Sequence, residues 1–156
     1  DCYRSLKTND EKTSWLWHSD NVPSGVLKVI FLITSSDEEK GSTKFLNKSK
    51  TNEFRDVGYF GIDVKSRTNS FKNIANRYNI NYNPITFLTE PGTCILFNNN
   101  NFHKASPPKK EYRDACTYFI IPSRFPWHEN LKKVSIENIE ESPGGFPLHP
   151  RLLEEE

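Results

Sequence analysis

No stretch of this sequence approaches the roughly 20 consecutive apolar residues that a membrane-spanning helix needs, which excludes such a helix within it. Charge of one sign is missing as well: 21 Lys and Arg stand against 20 Asp and Glu in 156 residues. So even a balance gives no electrostatic footprint for nucleic acid or for an anionic membrane as partner. Cysteine is scarce and odd in number, with only Cys2, Cys94 and Cys116. Two of the three lie in apolar runs, where a reduced thiol behaves as a small hydrophobe, so no disulfide framework is expected. A Gly-rich phosphate loop is absent, and the predicted strands do not alternate with helices, which rules out a doubly wound nucleotide-binding sheet. The chain opens Asp-Cys-Tyr, without an initiator Met or a basic segment leading into an apolar one. No signal peptide is visible and the expected compartment is the cytoplasm; the missing Met points to a trimmed start or to an excerpt of a longer protein.

What is present reads as one globular domain over residues 1–156, with a core at about 15–121. Val26 to Thr34 runs Val-Leu-Lys-Val-Ile-Phe-Leu-Ile-Thr, rich in β-branched residues and apolar at nearly every position, as in a strand covered on both faces. Lys28 interrupts it, either as a barrel-mouth lysine reaching for water or as a cation aimed into a polar cavity. Further strands are predicted at 42–46, weakly at 59–64, and at 85–89, 93–97 and 114–122. Residues 1–14 read as an edge strand or a loose lead-in. One amphipathic helix is predicted at 70–79, where Phe71, Ile74, Ala75 and Tyr78 recur at helical spacing behind Ser70 as N-cap. The polar segment 47–58 shows no period, and its Asn47-Lys-Ser49 sequon reads as coincidence. The stretch 48–82 is longer than a hairpin requires and is expected to cover a site as a lid or side wall. From Ser123 to Glu156 a tail with Pro126, Pro143, Pro147 and Pro150 reads as an irregular wrap or a disordered terminus. About seven short strands and one helix predict a mainly β sandwich or barrel.

The chemistry centres on Trp15-Leu-Trp-His-Ser-Asp-Asn-Val-Pro. Residues i and i+2 of an extended segment share a face, so His18 and Asp20 can reach one ion together. In a two-sheet jelly roll, strand ends distant in sequence meet at one mouth, which brings His103 and Arg113 into the same cavity. Two imidazoles and one carboxylate with open positions opposite suit ferrous iron, and a guanidinium fork suits a carboxylate. His128 and His149 lie in the tail and are read as bystanders. Trp15, Trp17, Asn21 and Lys28 flank the proposed cavity, and the tryptophans are equally at home in core packing.

Trp-His-Ser-Asp-Asn-Val-Pro with its following apolar strand, then Pro91-Gly-Thr-Cys-Ile-Leu-Phe, His103 and Arg113, resembles the phytanoyl-CoA dioxygenase-like branch of the iron(II)- and 2-oxoglutarate-dependent oxygenases. The resemblance implies a double-stranded β-helix, that is, a cupin-like jelly roll with few short helices. It implies that His18, Asp20 and His103 hold Fe(2+), and that 2-oxoglutarate and dioxygen are co-substrates. Arg113 would pair with the distal carboxylate of 2-oxoglutarate, with Lys28 and Thr117 as further contacts. A small organic substrate would be hydroxylated, because related halogenases lack the carboxylate that Asp20 supplies. The chain departs from the family at Ala115, where many relatives carry Ser or Thr two residues after the Arg, and at Asn47-Lys-Ser49, where Gly-Ser-His is usual. Two other readings stay open: a cupin-type metal protein or isomerase that does not use 2-oxoglutarate, and a non-catalytic jelly-roll binding module. Arg113 separates the first of these from the oxygenase, because nothing in a cupin scheme requires a buried cation there.

Overall fold

A computed structural model of the chain describes residues 1–9, 11–23 and 25–122. The tail from Ser123, with His128 and His149, lies outside the described residues. By contact the chain divides into two compact units, Cys2–Ile120 and Asp1 with Ile121–Glu156, and every element named below belongs to the first. Among the described residues there are seven strands: β1 (Cys2–Ser5), β2 (Leu27–Leu32), β3 (Thr43–Phe45), β4 (Ile85–Thr86), β5 (Cys94–Asn98), β6 (His103–Ala105) and β7 (Arg113–Ile120). Two helices join them, α1 (Lys48–Asp56) and α2 (Phe71–Tyr78). All pairings are antiparallel, in a four-stranded sheet ordered β1-β7-β2-β5 and a three-stranded sheet ordered β4-β3-β6. The fold is therefore mainly β. No helix among the described residues is long and apolar enough to cross a membrane.

Side chains alternate across each strand, and the inward set forms the first core: Ile30, Leu32, Ile95 and Ala115 from the larger sheet, Phe45 from the smaller. Phe97 packs against it with its ring 4.6 Å from that of Phe45. The outward set, including Phe31, Ile33, Leu96, Tyr118 and Ile120, is exposed. Val26 to Thr34 is thus covered on one face only, although a run apolar at nearly every position suggested two.

A second core is almost wholly aromatic and lies under α1 and α2. Trp17, Leu46, Phe54, Phe71, Ala75 and Phe102 are buried together, flanked by Tyr59, Ile74, Ile80 and Tyr82. Ring centroids of Phe54 and Phe71 are 4.3 Å apart, and those of Trp17 and Phe71 are 5.1 Å apart. Helix α1 replaces the featureless linker expected at 47–58. Asn47 caps it by accepting from the Lys50 N–H at 2.9 Å, and of its nine residues only Thr51 and Phe54 are buried. Two inward side chains are too few to register as a period, which is why the helix was not legible. Helix α2 falls where its spacing predicts, except that Ser70 makes no side-chain cap and Tyr78 turns outward. The weak strand at 59–64 does not form; Phe60, Ile62 and Val64 are exposed, and a 3-10 turn covers Val64–Ser66.

These contacts give residues 48–82, expected as a lid or side wall, a structural part as well: the segment supplies Phe54, Phe71 and Ala75 to the second core and Tyr59, Ile74, Ile80 and Tyr82 around it. Phe54→Ala should cost about 3–5 kcal/mol, measured by urea unfolding; a loss below ~1 kcal/mol would return the segment to a peripheral role.

Cysteine is the other correction. Cys2 and Cys116 are register partners of β1 and β7, 4.1 Å apart at Cα, and they form a disulfide. Their separation of 114 residues, set by strand pairing, hid the partnership in the sequence. Cys94 is free and exposed rather than buried. Thiol titration of the native protein should count one reactive group before reduction and three after it; three from the outset would remove the disulfide.

Candidate metal centre

The site begins with a pair of backbone hydrogen bonds. The His18 N–H donates to the His103 carbonyl at 3.1 Å, and the His103 N–H returns the bond to the His18 carbonyl at 3.0 Å. Residues directly opposite in an antiparallel bridge project to one side, so the two rings come together with centroids 4.3 Å apart. Each Nδ1 then finds a carbonyl two residues back in its own chain segment. His18 Nδ1 lies 2.7 Å from Leu16 O, and His103 Nδ1 lies 2.8 Å from Asn101 O. A carbonyl can only accept, so both Nδ1 atoms donate, and Nε2 is the nitrogen that each ring turns inward.

Both Nε2 atoms face Asp20. It lies past the bridge, with its N–H 3.4 Å from the Asn99 carbonyl. Its Oδ1 is 3.4 Å from His18 Nε2, and its Oδ2 is 3.6 Å from His103 Nε2. One ligand atom from each residue falls within 4.8 Å of the others. Buried His103 Nε2 has no hydrogen-bond partner. The donor set of two imidazoles and one carboxylate is that of a divalent transition-metal site. Burial pushes the His103 pKa down to about 4, with the His18 ring and the Lys28 ammonium acting in the same direction. The imidazole is therefore neutral and fit to ligate. For Asp20, burial acts to raise the pKa, but His103, His18 and Lys28 outweigh it and hold the carboxylate below its usual range.

Lys28 aims its ammonium at a carboxylate, as expected of a cation turned into a polar cavity rather than to water. Its Nζ lies 3.0 Å from Asp20 Oδ2, and 5.4 Å from the Phe119 ring centroid. Arg113 sits at the opposite end of β7 from Phe119, the residue paired with Lys28. The Arg113 residue is only 2% exposed, which excludes a solvated charged turn. Its Nη1 donates to the Gly41 carbonyl at 3.3 Å, its Nε has no partner, and no carboxylate pairs with it among the described residues. Burial lowers its pKa, with Tyr3 acting in the opposite direction. Gly41 is required where it stands: its φ is +85°, and a Cβ there would meet the Ser106 carbonyl oxygen at 2.5 Å. Alternation along β7 puts Arg113, Ala115 and Thr117 on the buried side, while Asp114 faces out to pair with Arg4 at 2.7 Å. Trp17 is core, Trp15 ends a 3-10 turn, and Asn21 takes a left-handed φ of 50°.

The sequence did not announce the residues that hold this arrangement from behind. Thr51 and Arg55 of α1 bond the segments bearing the ligands, and the Tyr59 hydroxyl donates to the Trp17 carbonyl at 2.8 Å. Gly61 accepts from the Ser19 N–H, and a Cβ on it would lie 3.1 Å from His18 Cα. Asn47 as a helix cap was the one available signal for the first two. His103→Ala should weaken divalent-metal binding by at least about 100-fold in a calorimetric titration, more than loss of a supporting residue costs. Equal affinity in the variant would remove His103 from the site.

No protein-family model matches the chain, and no curated protein matches it in sequence. Among solved structures, EctD from S. alaskensis with bound Fe aligns at TM-score 0.51 and 19% identity, over 76% of this chain and 41% of EctD. EvdMO1 aligns at TM-score 0.51 and 15% identity, over 78% of this chain and 26% of that protein. EctD with 2-oxoglutarate and 5-hydroxyectoine aligns at TM-score 0.49 and 19% identity, over the same shares. The chain thus spans well under half the length of these proteins. At such identities the likeness is one of fold, and the fold is that of the iron-bound EctD structure.

Proposed function

We propose that this chain is the core of an iron(II)- and 2-oxoglutarate-dependent dioxygenase of the phytanoyl-CoA dioxygenase-like branch, a jelly-roll domain that hydroxylates a small organic molecule. The observation that carries this reading is the convergence of His18, Asp20 and His103, whose ligand atoms lie within 4.8 Å of one another, with each histidine Nδ1 engaged by a carbonyl so that Nε2 faces Asp20. Strand pairing supports the jelly roll. With the Trp17–His18 bridge segment counted as a strand, eight segments pair first with eighth, second with seventh, third with sixth and fourth with fifth. A long hairpin rolled into two sheets produces that nesting.

His18, Asp20 and His103 would hold the iron. When bound, the metal binds the 2-oxo acid and activates dioxygen beside it, so that one oxygen atom ends in succinate and the other in the hydroxylated product, with carbon dioxide released. Arg113 pairs with the distal carboxylate of 2-oxoglutarate; its buried, unpartnered Nε is the donor that such a group would satisfy. Thr117 shares that inner face and stands in for the hydroxyl missing at Ala115. Lys28 secures Asp20 Oδ2 and adds positive charge at the metal end of the co-substrate. Retention of Asp20 favours hydroxylation over halogenation, since the carboxylate fills the position a halide would need. The apolar inner walls, with Ile30 and Ile95 buried, keep water from the reacting atoms.

Anaerobic titration of the purified protein with ferrous iron and then 2-oxoglutarate should produce a weak visible charge-transfer band that saturates at one equivalent. No band, with another divalent metal held tightly, would select the cupin reading instead. Arg113→Ala should keep its iron affinity and lose on the order of 100-fold in 2-oxoglutarate affinity, as expected when one partner of a buried charge pair is removed. Unchanged 2-oxoglutarate affinity in that variant would deny Arg113 its role.

A further inference from the structure

We infer that α1 is the positioning element of the metal centre, acting through Arg55 and Thr51, which lock the segment carrying His18 and Asp20 to the segment carrying His103. The inference rests on the reading of the triad as a metal site and adds to it residues that touch neither metal nor substrate. Thr51 and Arg55 lie one helical turn apart and so face the same way. Fully buried Thr51 accepts the Phe102 N–H on its Oγ1 at 3.0 Å, one residue before His103. Arg55 Nη2 donates to the Asn100 carbonyl at 2.7 Å and contacts Ser19 Oγ at 3.2 Å. Ser19 is the residue between His18 and Asp20, and its hydroxyl also donates to Asn100 O at 3.2 Å. One guanidinium nitrogen therefore ties both ligand-bearing segments together, with the guanidinium carbon 5.5 Å from the Phe102 ring centroid.

The tie matters because the rest of the cross-linking here is narrow. Between the two segments, the His18–His103 bridge fixes one point and the Asn100 side chain fixes another, accepting the Val22 N–H at 3.0 Å and donating to the Val22 carbonyl at 2.7 Å, while between them the Asp20 N–H reaches the Asn99 carbonyl only at 3.4 Å. Metal ligation tolerates errors of about 0.2 Å in ligand distance, so slack between those two points would spoil the placement of Asp20 against His103. A charge-assisted bond from Arg55 to both segments, made between those points, limits the slack. Phe54, between the two clamp residues, serves the core instead, which separates the structural and positioning roles of one helix.

The test uses cobalt(II) as probe, reading its affinity by titration and its ligand-field spectrum, alongside the Tm of the metal-free protein. Arg55→Met should lower cobalt affinity by about 10-fold or more and alter the spectrum, so the metal-induced rise in Tm shrinks by more than the metal-free Tm falls. Arg55→Lys should restore most of the affinity, because a single nitrogen makes both bonds. Should Arg55→Met fail to fold, Thr51→Val keeps the side-chain shape, removes the acceptor for the Phe102 N–H, and should lower cobalt affinity in the same sense. Wild-type affinity and spectrum in Arg55→Met, or in Thr51→Val where that variant stands in, overturn the clamp alone. Absence of cobalt binding by the wild type, or its persistence in His103→Ala, overturns the metal-site reading and the clamp with it.

Discussion

The reciprocal hydrogen bonds between His18 and His103 are the constraint on which the site depends. They are ordinary backbone bonds, of the kind that pairs any two strands, yet they bring together residues far apart in the chain. Without them the imidazoles share no face, and Asp20 has no second ring to meet. The two Nδ1 bonds to carbonyls then turn the rings so that both bare nitrogens look at Asp20. Backbone pairing supplies position, and local side-chain bonds supply orientation and tautomer. The chemistry of the donors enters only after both are in place.

That bridge stands at the joint between two cores of different character. On one side the aliphatic core between the sheets reaches the site through Phe97, whose ring centroid is 5.0 Å from that of His103. On the other, the aromatic core begins at Trp17 and Phe102, the residues that precede the two histidines. Each histidine is therefore anchored by its own chain neighbour in a packed cluster. Large flat rings in mutual contact leave few alternative packings, so the ligand-bearing backbone is held by shape as well as by hydrogen bonds. The length of 48–82 follows in part from this, because the segment helps to build the second core.

The ligands were legible because they obey rules that act within a few residues or within recurrent strand geometry. His18 and Asp20 share a face by simple alternation, and His103 meets His18 across an antiparallel bridge, whereas Arg113 sits at the opposite end of β7 from the residue paired with Lys28. Helix α2 was legible from Phe71, Ile74 and Ala75, whose spacing matches the helical period. Helix α1 was not, since its buried side consists of Thr51 and Phe54 alone, and one of these is polar. Arg55 was hidden for the same reason, because a charged residue in a polar stretch reads as solvated until its acceptors are known. The Cys2–Cys116 disulfide was hidden by distance, since strand register and not sequence spacing made the cysteines neighbours. Lys28 stood out as an anomaly in an apolar strand, but its partner Asp20 belonged to a segment whose path the sequence does not reveal.

The electrostatics of the interior are unbalanced in a directed way. Lys28 meets Asp20, but Arg113 is buried against a single carbonyl, with no anion beside it among the described residues. An uncompensated buried guanidinium costs several kcal/mol. A fold spends that much where the charge serves something else, since an apolar side chain of similar size would pack at lower cost. The triad of His18, Asp20 and His103 is the mirror image, a cluster of metal-ligating atoms within 4.8 Å of one another. One region calls for a cation and the other for an anion. A divalent metal with an anionic chelate that reaches from it to Arg113 would settle both imbalances at once, and its binding free energy would appear as stability of the folded chain.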